Sequence, residues 1–143
     1  MEFTECEAAA TDEALDEVER RVGLKFPAGL RRLFREANGG RPVCSCIDRD
    51  GDNHTFASEC LVLSGRRGSA VWTYELFAIS KKITPPHLFP FAVDLGGDPL
   101  LADCTSADGM VIHYLHDTAF EHLEPLHMTF EQFWDCSFRP PTA

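Results

Sequence analysis

Apolar positions change period near residue 43. Before it they recur at helical spacing. Thr11-Asp12-Glu13 reads as a helix start, a capping hydroxyl followed by two acids at the positive end of the dipole. Leu15, Val18 and Val22 then fall on one face, and Gly23 supplies a C-terminal cap. Pro27 suits the first turn of a second helix, in which Leu30, Leu33, Phe34 and Ala37 form a one-sided stripe. Asn38-Gly39-Gly40 should stop it, because Asn and Gly tolerate positive φ.

From Val43 the pattern is strand-like. Val43 to Ile47 alternates, and residues 48–53 are a turn cluster. Leu61-Val62-Leu63 reads as a buried strand or a loop packed on the core. Val71 to Ile79 mixes helical and strand signals and is assigned to helix or irregular structure. A meander follows: a strand over 88–95, a Gly96-Gly97-Asp98 turn, a strand over 99–104, a Ser106-Ala107-Asp108-Gly109 hairpin turn and a strand over 110–115. Thr129-Phe130-Glu131-Gln132 is a capping box opening a last helix with Phe130, Phe133 and Trp134 on one face, ended by Pro140-Pro141. Helices segregated from antiparallel strands imply an α+β fold in one domain over 1–143. Residues 1–10 are expected as a frayed lead or an extra turn of helix, and 137–143 as a tail.

Composition narrows the class. No run of about 18 apolar residues exists to cross a membrane. The acidic start Met1-Glu2-Phe3-Thr4-Glu5 does not resemble a secretory signal, so the cytoplasm is the default expectation. On that basis the six cysteines, at 6, 44, 46, 60, 104 and 136, are read as reduced thiols. The formal net charge is −10 and is unevenly spread: residues 83–143 hold nine acids and only Arg139. Such a field disfavours nucleic acid and anionic membranes and steers basic partners inward. An acidic surface also serves plain solubility.

Motifs for chemistry are weak. Cys44, Cys46, His54 and Cys60 lack the paired spacing of structural zinc, and alternate cysteines in a strand face opposite ways. His113 and His116 likewise face opposite sides of a strand, and His122 and His127 flank a Pro. Counted from Asp48, Gly51 is misplaced for a calcium loop. No nucleophile elbow and no phosphate-binding loop is present. No metal, cofactor or catalytic residue is assigned.

Three stretches resemble one family. The first runs from Ala14 through Val22-Gly23-Leu24-Lys25-Phe26-Pro27 to Asn38-Gly39-Gly40. The second is Phe89 to Asp98, an apolar strand ending in Gly-Gly-Asp. The third joins Asp108-Gly109-Met110-Val111-Ile112 to Thr129-Phe130-Glu131-Gln132-Phe133. Their order and spacing resemble the SUKH superfamily, the Smi/Knr-type domain, over most of the chain. No single motif is specific, and residues 43–82 depart from the pattern. The resemblance implies a curved, mostly antiparallel sheet with two N-terminal helices and a C-terminal helix. It also implies action through protein contacts: bacterial members look predominantly like immunity proteins that block a cognate toxin, often a nuclease, and fungal relatives like regulators of cell-wall synthesis and signalling. No catalytic residue is attributed to the family, so none is carried over.

The expectation is an immunity protein, not an enzyme, that covers the basic active site of a cognate toxin in a stoichiometric complex. Exposed acids beside turns are the candidate contacts: Asp50, Asp52, Asp94, Asp98 and Asp103, with Glu59 and Glu75 behind them. The alternatives are a scaffold or regulator of the same fold and a small metal-dependent enzyme built on the Cys/His set.

Overall fold

A computed structural model of the chain describes residues 2–43, 46–47, 53–54, 57–115 and 122–138. Strand β1 (Phe3–Thr4) precedes helices α1 (Asp12–Val22) and α2 (Ala28–Ala37). Short strands β2 (Arg41–Pro42), β3 (Cys46–Ile47), β4 (Asn53–His54) and β5 (Glu59–Cys60) follow. Helix α3 (Ala70–Tyr74) runs directly into a π-helix (Glu75–Ser80). Then come β6 (Leu88–Val93), β7 (Pro99–Asp103), β8 (Val111–Leu115), β9 (His122–Pro125) and α4 (Phe130–Ser137). β5 to β9 form a five-stranded antiparallel sheet in sequence order, beside the pairs β1–β2 and β3–β4. The α+β architecture is the one expected.

The helix ends follow their local chemistry. Thr11 Oγ1 accepts the Ala14 N–H at 3.1 Å, and Gly23 closes α1 at φ 73°. The capping box of α4 is complete: Gln132 N donates to Thr129 Oγ1 at 3.1 Å, and Thr129 N to Gln132 Oε1 at 2.9 Å. At the end of α2 the positive φ falls on Gly39 (75°), whereas Asn38 keeps φ −51°. Asn38 uses its amide as a stitch. Its Nδ2 donates to Ala8 O and its Oδ1 accepts from Leu63 N, both at 2.8 Å. Gly39 is needed for space as well, since a Cβ there would lie 2.5 Å from Val62 Cγ1.

The apolar stripes of α1, α2 and α4 converge on one face of the sheet. Leu15, Leu30, Leu33, Phe34, Phe89, Phe91, Phe130, Phe133 and Trp134 are buried in one cluster. Each large side chain buried in this way contributes about 1.5–3 kcal/mol. The period-two alternation of β7 sends Leu100 and Ala102 into this core and Leu101 to the opposite face. There Leu88, Leu101 and Tyr114 form a smaller cluster, covered by Phe77 of the π-helix and by Ile83. Leu61-Val62-Leu63 is a buried loop, one of the two forms expected of it, and 70–80 is helical as assigned.

Four features differ from expectation. Residues 3–4 are a strand paired with Arg41–Pro42, and Phe3 is buried with its ring 5.6 Å from Trp134 and 5.1 Å from Phe138. An aromatic at position 3 completes that cluster, so the lead is neither frayed nor helical there. Phe138 is fully buried, so the tail does not begin at 137; residues 139–143 lie outside those described. β9 forms the edge of the sheet, where Pro125 can sit without breaking a ladder. Finally, Cys136 is disulfide-bonded, while Cys6, Cys60 and Cys104 are free thiols. The reading of all six as reduced therefore fails at Cys136. The fold packs β3 against α4, which brings distant chain to the helix that carries Cys136. Among the described residues, no helix is long and apolar enough to cross a membrane.

Candidate partner-binding surface

The three described acids chosen from the sequence are all engaged at turns. Asp94 follows β6 and organises the link to β7. Its Oδ1 accepts the N–H groups of Gly96 and Asp98, each at 2.9 Å, and its Oδ2 lies 2.8 Å from His113 Nε2 on β8. Gly97 sits at φ 87°, a left-handed turn position that favours glycine. Asp98 is only 5% exposed, so the exposure expected of it is absent. Asp103 ends β7. Its Oδ1 accepts from Thr105 N at 2.8 Å and from Thr105 Oγ1 at 2.6 Å, closing the hairpin.

The turn brings Asp94 and Asp98 together. Asp103 stands at the other end of β7, about 13 Å away for a strand of this length. Asp50 and Asp52 lie outside the described residues, as do most of the positions of the calcium reading. The second-rank acids are paired: Glu59 with Arg41 at 3.8 Å and Glu75 with Arg21 at 2.7 Å.

Charge is balanced very differently across the molecule. In the α1–α2 layer Arg31 lies 3.4 Å from Asp12, 3.2 Å from Asp16 and 2.6 Å from Glu19. The other oxygen of Glu19 accepts the Phe26 N–H at 2.6 Å, so one carboxylate joins α1, the interhelical link and α2. Arg35 adds to Asp12, Arg20 pairs with Glu17, and Arg32 pairs with Glu36. Arg66 reaches Glu7. Toward the sheet, Asp108 in the β7–β8 turn and Glu124 on β9 are exposed, and neither has an ion-pair partner among the described residues. Among the described residues Asp103 likewise has no ion-pair partner. Glu124 is registered opposite His113 across β8–β9, and the main chain of Asp108 accepts the Phe130 N–H that opens α4.

Asp108 and Glu124 were not singled out in the sequence. Asp108 was legible only as half of an Asp-Gly turn. Glu124 could have been found from the alternation of His122-Leu123-Glu124-Pro125, which marks a strand with acid on one face. His113, set aside as a metal ligand, is partly buried on β8 and pairs with Asp94.

The thiols are quiet. Burial pushes Cys104 up to about 12, with Asp103 and Glu19 adding to the shift. Burial likewise raises Cys60. A buried neutral thiol packs as a small apolar group. Among the described residues, no group of three or more His, Cys, Asp or Glu could hold a metal ion.

A family model described as SMI1 / KNR4 family (SUKH-1) matches residues 9–136. No curated protein and no solved structure matches the chain.

Proposed function

The chain belongs to the SMI1 / KNR4 family (SUKH-1), and on that premise we propose that it is a bacterial immunity protein that binds a cognate toxin domain and blocks it by stoichiometric occlusion. The observation that carries this reading is the uncompensated carboxylate charge at the sheet. Among the described residues Asp103, Asp108 and Glu124 have no ion-pair partner, whereas Asp12, Asp16, Glu17, Glu19 and Glu36 of the helical layer are held by arginines, Glu13 being the exception. A toxin that cuts nucleic acid needs a basic cleft, and carboxylates presented on a rigid sheet meet such a cleft as phosphates would.

In this reading Asp103, Asp108 and Glu124 are contact residues, joined by Asp50 and Asp52. Asp94 and Asp98 act by holding the turn that ends β6. The complex is one to one, and neither a cofactor nor a chemical step is required. In this reading the protein acts in the cytoplasm, where a disulfide such as that of Cys136 is unusual.

Co-expression tests it. The C-terminal domain of a large secreted protein encoded next to this chain is expressed with and without it. Restored growth together with a one-to-one complex supports neutralisation. Toxicity that persists despite soluble chain, or the lack of any toxin-like neighbour, favours a scaffold or regulator of the same fold.

A further inference from the structure

A second surface lies between the π-helix and the β6–β7 turn. The π-helix ends at Ser80, and the chain reverses through Lys81 and Lys82. Lys82 has φ 54°, a left-handed conformation that lysine seldom adopts. The reversal is pinned, because Phe77 O accepts the N–H groups of both Ile83 (2.8 Å) and Thr84 (3.3 Å). Two clefts meet at Ile83. One, about 580 Å³, is walled by Ile79, Lys82 and the Thr84–Pro86 stretch. The other, about 340 Å³, runs between Lys81 and the Gly96–Gly97 turn, with Asp98 in its wall. Ile79 is 54% exposed, and Leu95, the residue beside that turn, is 86% exposed.

Among the described residues Lys81 and Lys82 are exposed and form no ion pair, as is also true of Lys25, in a chain of net charge −10 where Arg20, Arg21, Arg31, Arg32, Arg35, Arg41 and Arg66 are all paired. Each cleft therefore sets apolar side chains beside one exposed lysine, and the second also holds the largely buried Asp98. Short π-helical segments recur at functional sites, where they reposition side chains. A surface already held by backbone hydrogen bonds also loses little freedom on binding.

We infer that this surface docks a partner-protein segment whose apolar side chains are flanked by carboxylates. The apolar side chains would enter the clefts on either side of Ile83, and the carboxylates would meet Lys81 and Lys82. Charge complementarity decides the occupant, since a basic ligand would be repelled here and attracted to the carboxylates of the sheet instead. The inference goes beyond toxin neutralisation and does not depend on it.

The test uses the whole chain and a dye-labelled eight-residue peptide alternating glutamate with leucine and phenylalanine, against the same peptide with lysine for glutamate. Anisotropy gives affinity and amide chemical shifts give location. The acidic peptide should bind saturably and shift residues 79–86 and 95–98. Lys81→Glu with Lys82→Glu should weaken it about tenfold, and about 0.3 M salt should do the same. Leu95→Ser, at a site with no packing role, should weaken it without altering the fold. Absence of saturable binding, equal binding of the lysine peptide, or shifts elsewhere would overturn the inference. So would concentration-dependent self-association lost on Ile79→Asp, which would assign the surface to a second copy. Binding to phosphatidylserine vesicles without any response to the peptide would assign it to a membrane and equally overturn the inference.

Discussion

In the helical layer, carboxylates of Asp12, Asp16 and Glu19 converge on Arg31. Across the molecule, Asp94 and Asp103 turn theirs onto backbone N–H groups and a histidine, while Asp108 and Glu124 have no ion-pair partner among the described residues. Similar acids thus serve three ends: cross-linking helices, closing turns and remaining exposed. Net charge counts all three alike, but the last meets a partner at the smallest cost, while Asp103 has to keep its turn hydrogen bonds as it does so.

The largest effect should come from the helical layer. Arg31 and Glu19 are both mostly enclosed, so Arg31→Ala strands Glu19 in a confined site. Urea unfolding should show a loss of about 2–3 kcal/mol, below the range for a fully buried pair because water still reaches both groups. A loss under about 0.5 kcal/mol would place this network with ordinary surface pairs and erase the contrast.

Next comes the turn. Asp94→Ala removes acceptors for two backbone N–H groups and the partner of His113. It should cost about 1–3 kcal/mol. In a double-mutant cycle with His113→Gln the two losses should not add, because both act on one bond. Strict additivity would show that Asp94 does its work through the turn alone.

The seam between the regions is tested by pH. Cys104 and Cys60 have ordinary values of 9.0 that burial raises in the folded protein. Below pH 9 both states keep the thiol protons and stability is unaffected by them. Above it, the unfolded thiols ionise while the folded ones do not, so stability should fall by up to about 1.4 kcal/mol per pH unit for each thiol. Cys104→Ala should flatten that alkaline decline, and an unchanged slope would mean that its thiol is open to water.

The smallest effect on stability should be at the exposed acids. Asp108→Lys and Glu124→Lys should each stay within about 0.5 kcal/mol of the parent, since neither side chain has a charged partner to lose. A melting-curve shift corresponding to more than about 1 kcal/mol would show that these carboxylates are structural too.

Helices and their ends were legible because capping and apolar spacing are local: Thr11, Gly23, Thr129 and Gln132 do what their neighbours dictate. The meander was legible from its turn residues. What short-range pattern could not show is what a side chain meets from far away. Phe3 belongs to an aromatic cluster with Trp134 and Phe138, and Cys136 forms a disulfide, neither of which nearby residues announce. The burial of Asp98 was hidden for a related reason. Asp beside Gly was taken as exposed charge, yet the shortness that suits Asp to a turn lets its carboxylate fold back onto the backbone. Asp94, Asp98 and Asp103 are near turns because they build them or are buried by them. Glu124, on an edge strand without a turn signal, kept its charge exposed.

The most direct measurement is the association rate with the toxin domain identified by rescue, followed from low to moderate salt for three proteins. These are the parent chain, the Asp108→Lys/Glu124→Lys double variant, and Glu17→Lys in the helical layer. The account predicts a parent rate that falls steeply with salt, a double variant that is slow and nearly salt-independent, and a Glu17→Lys protein close to the parent. Equal slowing by the helical and sheet variants would mean that net charge alone steers the partner, and would contradict the division of labour between the two regions.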